Sequence, residues 1–221
     1  MQHSYFIRQH MLIGQQGQQK LSTTTVAIIG LGAIGCINAQ LLARSGIHNF
    51  ILVDNDTIQP QNIHRQLLYT HDDIGQKKIE KAKAYLERIF PHITCTIHDC
   101  LLDESHTHLL KQANLIIDGT DTMQARHHIE YCAKQLNIPW IFGAAAGTQA
   151  MCIPFSQTLT LQQVFSHVHK TENCHHRGIL NTTISMLGAI QSQLTLDYFV
   201  KNELPQKIYT IQQLHITTIN I

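Results

Sequence analysis

The stretch Thr25-Val-Ala-Ile-Ile-Gly-Leu-Gly-Ala-Ile-Gly35 constrains this chain more than any other. Residues 26–29 read as a buried strand that runs into Gly30, Gly32 and Gly35, and a helix opens at about Ile34. This is a G-x-G-x-x-G turn, in which backbone N–H groups and a helix N-terminus face an anionic phosphate. A Cβ at these glycines would hold the phosphate away from the backbone, so Gly30, Gly32 and Gly35 are expected to hold a nucleotide. The motif alone does not say which nucleotide.

The remaining elements extend this turn into a sheet. Residues 1–24 read as an N-terminal helical arm with a Gly-Gln loop over 14–19, and residues 49–53 as the strand that completes a βαβ unit. Over 76–90, Ile79, Ala82, Leu86 and Ile89 recur at helical spacing and Pro91 stops the helix. A strand at 93–97, a short helix at 103–112, a strand at 114–117, a helix at 122–136 and a strand at 139–142 follow, the last closed by residues 143–147. Strands alternating with helices predict an α/β, doubly wound, mostly parallel Rossmann-like sheet. Beyond Ala150 the spacing predicts a strand at 151–155, a His-rich crossover loop at 157–177, and a helix at 179–200 with Ile184, Leu187, Gln191 and Leu194 on one face. Residues 208–211 and 215–221 read as closing antiparallel strands. The expected organisation is an arm (1–24), a nucleotide-binding Rossmann-like region (25–150), and a crossover, helix and closing strands of the same domain (151–221).

Composition removes several classes of function. Lys and Arg number 16 against 15 Asp and Glu, a net charge of +1, so there is no broad basic field for nucleic acid. No two of Cys36, Cys95, Cys100, Cys132, Cys152 and Cys174 are spaced as C-x-x-C. The first residues lack an apolar signal core and no apolar run reaches membrane-spanning length. The expectation is a cytoplasmic protein with reduced thiols and no membrane partner.

Chemistry concentrates at strand tips. Asp54 ends the second strand about 20 residues beyond the glycines, where an acid bonds ribose hydroxyls; a strand-end turn residue is the alternative. Asp56, Asn62, Arg65, Gln66 and Lys78 follow it. Lys77, Lys78 and Lys81 crowd the start of a helix, where cations oppose the helix dipole unless an anion is near. Arg65 with Lys78 reads as a phosphate site, and Lys77, Lys81 and Lys83 as a solvated face. A dinucleotide's pyrophosphate can be held largely by the turn, whereas a triphosphate wants several cations and a metal. Asp121, at the tip of the 114–117 strand, suits magnesium, which takes one or two carboxylates plus phosphate oxygens; the cap of the following helix is then left to Asp118 or Thr120.

Ordered motifs now accumulate: Tyr5-Phe-Ile-Arg8-Gln9, Gly17-Gln18, Gly30-Leu-Gly-Ala-Ile-Gly35, Leu52-Val-Asp54-Asn-Asp56, Asn62-Ile-His-Arg65-Gln66, Gly75-Gln-Lys-Lys78, Asp118-Gly-Thr-Asp121, Arg126 and Gly178-Ile-Leu180. On these the chain resembles the ubiquitin-activating-enzyme-like adenylyltransferases of the ThiF/MoeB/HesA type, from Tyr5 to about Val200. The resemblance implies use of ATP and Mg2+ to adenylate the C-terminal glycine of a small ubiquitin-like sulfur-carrier protein ending in Gly-Gly, in thiamine- or molybdopterin-type sulfur transfer. It implies that Gly30, Gly32 and Asp54 hold the nucleotide, that Asn62, Arg65 and Lys78 neutralise the triphosphate, and that Asp121 positions magnesium. Arg8 would reach into the partner subunit's site, implying a homodimer. Adenylation of a short peptide by the same fold, or an inactive ATP-binding scaffold, are the alternatives.

Two departures stand beside the resemblance. Family members commonly bind structural zinc through two C-x-x-C pairs; both are missing here, so the zinc is expected to be lost. His167, His169, Cys174, His175 and His176 could form a substitute site, with a polar loop as the alternative. Cys174 aligns with the cysteine some relatives use to join the carrier through sulfur, and His175, His176 and Arg177 could lower its pKa. The family's Thr-Asp-Asn is Thr120-Asp121-Thr122 here.

Overall fold

Strand β1 (Thr25–Ile29) is apolar on both faces because it lies inside the sheet. Val26 and Ile28 enter one core layer and Ala27 and Ile29 the other, the period of two that a strand imposes. The computed structural model describes residues 5–166, 178–213 and 215–221. Cys174 and the histidines at 167, 169, 175 and 176 lie outside the described residues.

The chain runs through helix α1 (Ile7–Thr23), β1, α2 (Ala33–Arg44), β2 (Asn49–Val53), α3 (Lys78–Ile89), β3 (Thr94–His98), β4 (Leu115–Asp118), α4 (Met123–Leu136) and β5 (Trp140–Ala146). It closes with β6 (Gln149–Phe155), the short α5 (Leu161–Phe165), α6 (Asn181–Lys201), β7 (Lys207–Gln212) and β8 (His215–Asn220). One sheet of eight strands has the order β3-β2-β1-β4-β5-β6-β7-β8. The pairs from β3 to β5 are parallel, and β5–β6, β6–β7 and β7–β8 are antiparallel. The strand order reverses between β1 and its two neighbours, β2 and β4, and a doubly wound sheet opens a crevice at the carboxyl ends there. No helix among the described residues is long and apolar enough to cross a membrane.

Three local expectations are corrected. The Gly-Gln stretch is helical: α1 continues through it and is broken only at Gly14, with φ +70°. Tertiary contacts outweigh the weak local pattern. Gln9 and Gln18 donate to the Ser45 carbonyl at 2.7 and 3.1 Å, Leu21 is fully buried, and Gly17 lies against Val200 of α6. Residues 143–146 do not close β5 but belong to it, because Gly143 to Ala146 pair in register with Cys152 to Gln149 across the hairpin. Finally, the His-rich crossover contains α5, started by a Thr160 side chain that accepts from the Gln163 N–H at 3.2 Å.

Candidate active site

The crevice at the ends of β1, β2 and β4 has a volume of about 1200 Å³. Its floor is the glycine turn, pinned by Gly30 N–H donating to Val53 O and Gly119 N–H donating to Ile29 O, both at 2.8 Å. The three glycines serve different ends. Gly30 has φ +84°, and a Cβ there would lie 2.8 Å from the Gly119 carbonyl; a Cβ on Gly35 would run into the Gly30 carbonyl oxygen. At these two positions the constraint is backbone against backbone, and Gly35 is beneath the crevice wall rather than in it. Only Gly32, whose added Cβ would meet nothing closer than 3.8 Å within the protein, leaves space that a ligand could use.

Asp54, buried at the tip of β2, accepts from Leu31 N–H at 2.6 Å through Oδ2 and from Asp56 N–H at 2.8 Å through Oδ1. Burial pushes its carboxyl pKa up, against the Lys78 charge and these two donors. It thereby ties the glycine turn to the β2 tip. Lys78, in the first turn of α3, is also buried, and its Nζ lies 2.6 Å from Asp56 Oδ2. Lys77 and Lys81 are not merely solvated: they pair with Asp99 at 3.0 Å and Asp73 at 2.6 Å. Asn62 is buried in a 3-10 turn, where its Oδ1 accepts from Gln59 N–H at 2.9 Å. Half-buried Arg65 donates to Gln61 O at 2.7 Å and lines the crevice. Gln66 lines it too, and its buried Oε1 has no hydrogen-bond partner among the described residues.

The opposite wall follows β4. Here the cap differs from the expectation: Thr122 caps α4, its Oγ1 accepting from Ala125 N–H at 3.2 Å. Asp118 cannot do so because its carboxylate is engaged inside, accepting from Thr120 and from Arg126 Nε at 3.0 Å. Buried Arg126 also donates to Thr120 O and Gly143 O and lies 4.6 Å above the Phe142 ring. This internal cation braces the 118–122 loop. An acid at a strand tip and an Arg eight residues on, in the next helix, was the available sequence signal. Asp121 is exposed on that loop and faces the crevice.

The structure therefore brings Gly30, Gly32, Asp54, Asp56, Asn62, Arg65, Lys78 and Asp121 to one crevice. Arg8, exposed on α1, is not part of this wall within one chain. Burial pushes the thiols of Cys36 and Cys95 up to about 12, which leaves them protonated and unreactive near neutral pH. Among the described residues no group of three or more His, Cys, Asp or Glu side chains could hold a metal ion.

A family model, the ThiF family, matches residues 6–221. The chain belongs to the ThiF family. It is 31% identical over 183 residues to the molybdopterin-synthase adenylyltransferase of Escherichia coli (strain K12), covering 80% of this chain and 73% of that protein. With the adenylyltransferase and sulfurtransferase MOCS3 of Culex quinquefasciatus it shares 27% over 197 residues, covering 86% of this chain and 45% of that one. Among solved structures, E. coli MccB with AMPCPP and MccA superposes with a TM-score of 0.86 at 20% identity, covering all of this chain and 72% of that one. That likeness shows the fold. With adenylyltransferases at about this identity over most of its length, this ThiF-family chain is an adenylyltransferase, an activity that implies ATP as the nucleotide.

Proposed function

We propose that this ThiF-family chain activates the C-terminal glycine carboxylate of a small ubiquitin-like sulfur-carrier protein, forming an acyl-adenylate and releasing pyrophosphate. The observation that carries the reading is the meeting of Asp54, Arg65, Lys78 and Asp121 around the Gly32 turn in one crevice. The sequence relatives, which are molybdopterin-synthase adenylyltransferases, favour a protein carrier over a short peptide.

The chemistry asks little of an acid or base. A terminal carboxylate has a pKa of about 3.5 and is ionised at neutral pH. Its oxygen attacks the α-phosphorus directly, the bond to the bridging oxygen of the β-phosphate breaks, and pyrophosphate leaves with that electron pair; no proton moves. What remains for the protein is orientation and charge neutralisation. Gly32 and the start of α2 receive phosphate oxygens, Asp54 takes the ribose, and Asn62, Arg65 and Lys78 balance the charge on the departing pyrophosphate.

One exposed carboxylate, Asp121, fits magnesium carried in by the triphosphate, since the ion then draws its other ligands from phosphate and water. Bound there, magnesium would offset charge on the phosphate oxygens. Arg8 would complete the site from the second subunit of a homodimer, which gives a role to a cation lying outside the crevice of its own chain. The test is ATP–pyrophosphate exchange dependent on a Gly-Gly-ending carrier. Exchange is expected with the carrier, and Asp121→Asn is expected to abolish it with the fold intact. Exchange stimulated by a peptide and by no carrier would transfer the reading to a peptide acceptor, and full activity of Asp121→Asn would remove the metal assignment.

A further inference from the structure

Helix α6 buries one side against the rest of the fold, and that side carries polar Thr183, Gln191, Ser192 and Thr195 among its apolar residues. Ile184, Leu187 and Leu194 pack there as expected, but between them Gln191 is fully buried. Its Nε2 donates to Asp118 O at 3.1 Å and to Ile141 O at 3.2 Å, and its Oε1 accepts from Asn38 Nδ2 at 2.7 Å. Asn38, equally buried, also donates to Ile34 O at 3.1 Å and accepts from Ser192 Oγ at 3.0 Å. An apolar residue of the same length would fill the space but leave these groups without partners.

The surroundings are shaped around this side chain. A Cβ on Gly143 would lie 2.6 Å from Gln191 Nε2, so β5 must carry glycine where the amide crosses it. A Cβ on Gly188 would run into Ile37, so α6 and α2 meet closely one turn earlier. Gln191 thus joins α6, β4, β5 and, through Asn38, α2. Each of these leads into the crevice: α2 at Ala33 and Ile34, β4 at Asp121, β5 at Ala144, and α6 at Ile184. The first two hold the nucleotide side in the reading above. The last two wall the part of the crevice beyond it, where an acceptor must approach.

We propose that Gln191 is a positioning residue for adenylation, fixing the nucleotide wall and the acceptor wall at one separation so that the incoming carboxylate meets the α-phosphorus in line. This rests on the adenylation reading. Because a displacement of about 1 Å can cost about 100-fold in rate, alignment and not affinity is what the amide controls.

The experiment compares Gln191→Met with wild type in ATP binding by calorimetry, carrier-dependent pyrophosphate exchange, and thermal unfolding. Methionine keeps the side-chain length and removes every hydrogen bond. With the variant folded at the assay temperature, kcat is expected to fall by about 30-fold or more, while the ATP Kd and the carrier KM stay within about threefold. A lower Tm with unchanged kcat would reduce Gln191 to a structural residue and overturn the proposal. A parallel loss of ATP affinity would overturn it too, by making the nucleotide wall itself the casualty. If Gln191→Met does not fold, Asn38→Ala leaves both donations from Gln191 to the strands and removes the bonds of Asn38 to Gln191, Ile34 and Ser192; it is expected to lower kcat about threefold or more at unchanged ATP Kd, and no loss refutes the proposal. Absence of exchange in the wild type overturns the adenylation reading and this proposal with it, an outcome distinguished by the wild-type measurement alone.

Discussion

Lys78 Nζ sits 2.6 Å from Asp56 Oδ2, a buried ammonium paired with a carboxylate that is 63% exposed. The asymmetry has a consequence for the empty and loaded site. Phosphate oxygens can replace the carboxylate on Lys78, but in the empty protein Asp56 is the partner that keeps the charge from being buried alone. Asp56→Ala should therefore destabilise the empty protein by about 1 kcal/mol, discounted for the exposure of the acid. The ATP-loaded protein should be affected less. By scanning fluorimetry the Tm without ATP is expected to fall about 2–4 °C, and the rise on adding ATP to grow by a similar amount. An unchanged Tm in both states would show that the pair contributes nothing.

The glycines of the turn separate packing from ligand approach. Gly35→Ala drives a methyl group into the Gly30 carbonyl oxygen, an overpacking defect of about 1–3 kcal/mol or more. Gly32→Ala has 3.8 Å of clearance within the protein, so its Tm should stay near wild type while its ATP affinity falls about tenfold, or about 1.4 kcal/mol. Calorimetric titration of both variants with ATP, beside their melting curves, checks this. Loss of stability in Gly32→Ala with intact ATP binding would invert the assignment.

How much of this could be read from the sequence depended on how local each cause was. Strands β1 and β2 stand at the expected residues because parallel strands buried on both faces are unbroken apolar runs. Asp54 and Asp121 were legible for the same reason, as acids following such runs. The helical arm was legible, but the continuation of α1 through residues 14–19 was not, because Gln18 is secured by the Ser45 carbonyl, a partner from another part of the chain. Arg126 and Gln191 stood out in the sequence, one in an ordered motif and the other on an apolar helix face, but without the partners that define their tasks. Their role appears only when strand-tip groups arrive, and Asp118 O is 73 residues from Gln191. The different tasks of Gly30, Gly32 and Gly35 were equally invisible, since backbone neighbours decide them, Gly119 for Gly30 and Gly30 for Gly35.

Thr122 offers a test on the wall that carries Asp121. Its hydroxyl supplies the acceptor for Ala125 N–H at the start of α4, and loss of such a cap costs about 1 kcal/mol. Thr122→Ala is expected to lower Tm by about 2–4 °C, and Thr122→Ser to preserve it. Melting curves of the two variants measured together decide it; equal curves would show that another group caps the helix.

The histidine pair at the opposite end of the sheet should make stability fall in mild acid. His48 and His92 approach with Nε2 atoms 2.9 Å apart, so one nitrogen must donate while the other accepts. Phe6 of the arm and Phe90 at the end of α3 pack about them, and His10 lies across the Phe6 ring. Burial, with the His92 ring in contact, lowers the His48 pKa to about 4 from an ordinary 6.5. Between those two values the unfolded chain takes up a proton that the folded chain refuses, so this contribution is complete above pH 6.5 and declines as pH falls toward 4. Protonating His48 would also remove one acceptor from the ring-to-ring contact and loosen Phe6, the residue that seats the arm bearing Arg8. His48→Gln, which keeps a neutral hydrogen-bonding side chain, should give a Tm that falls less steeply than wild type from pH 6.5 to 4.5. Equal slopes in that range would exclude His48 as the titrating group. Protection factors for hydrogen exchange at residues 7–12 should fall from pH 6.5 to 4.5 in the wild type alone.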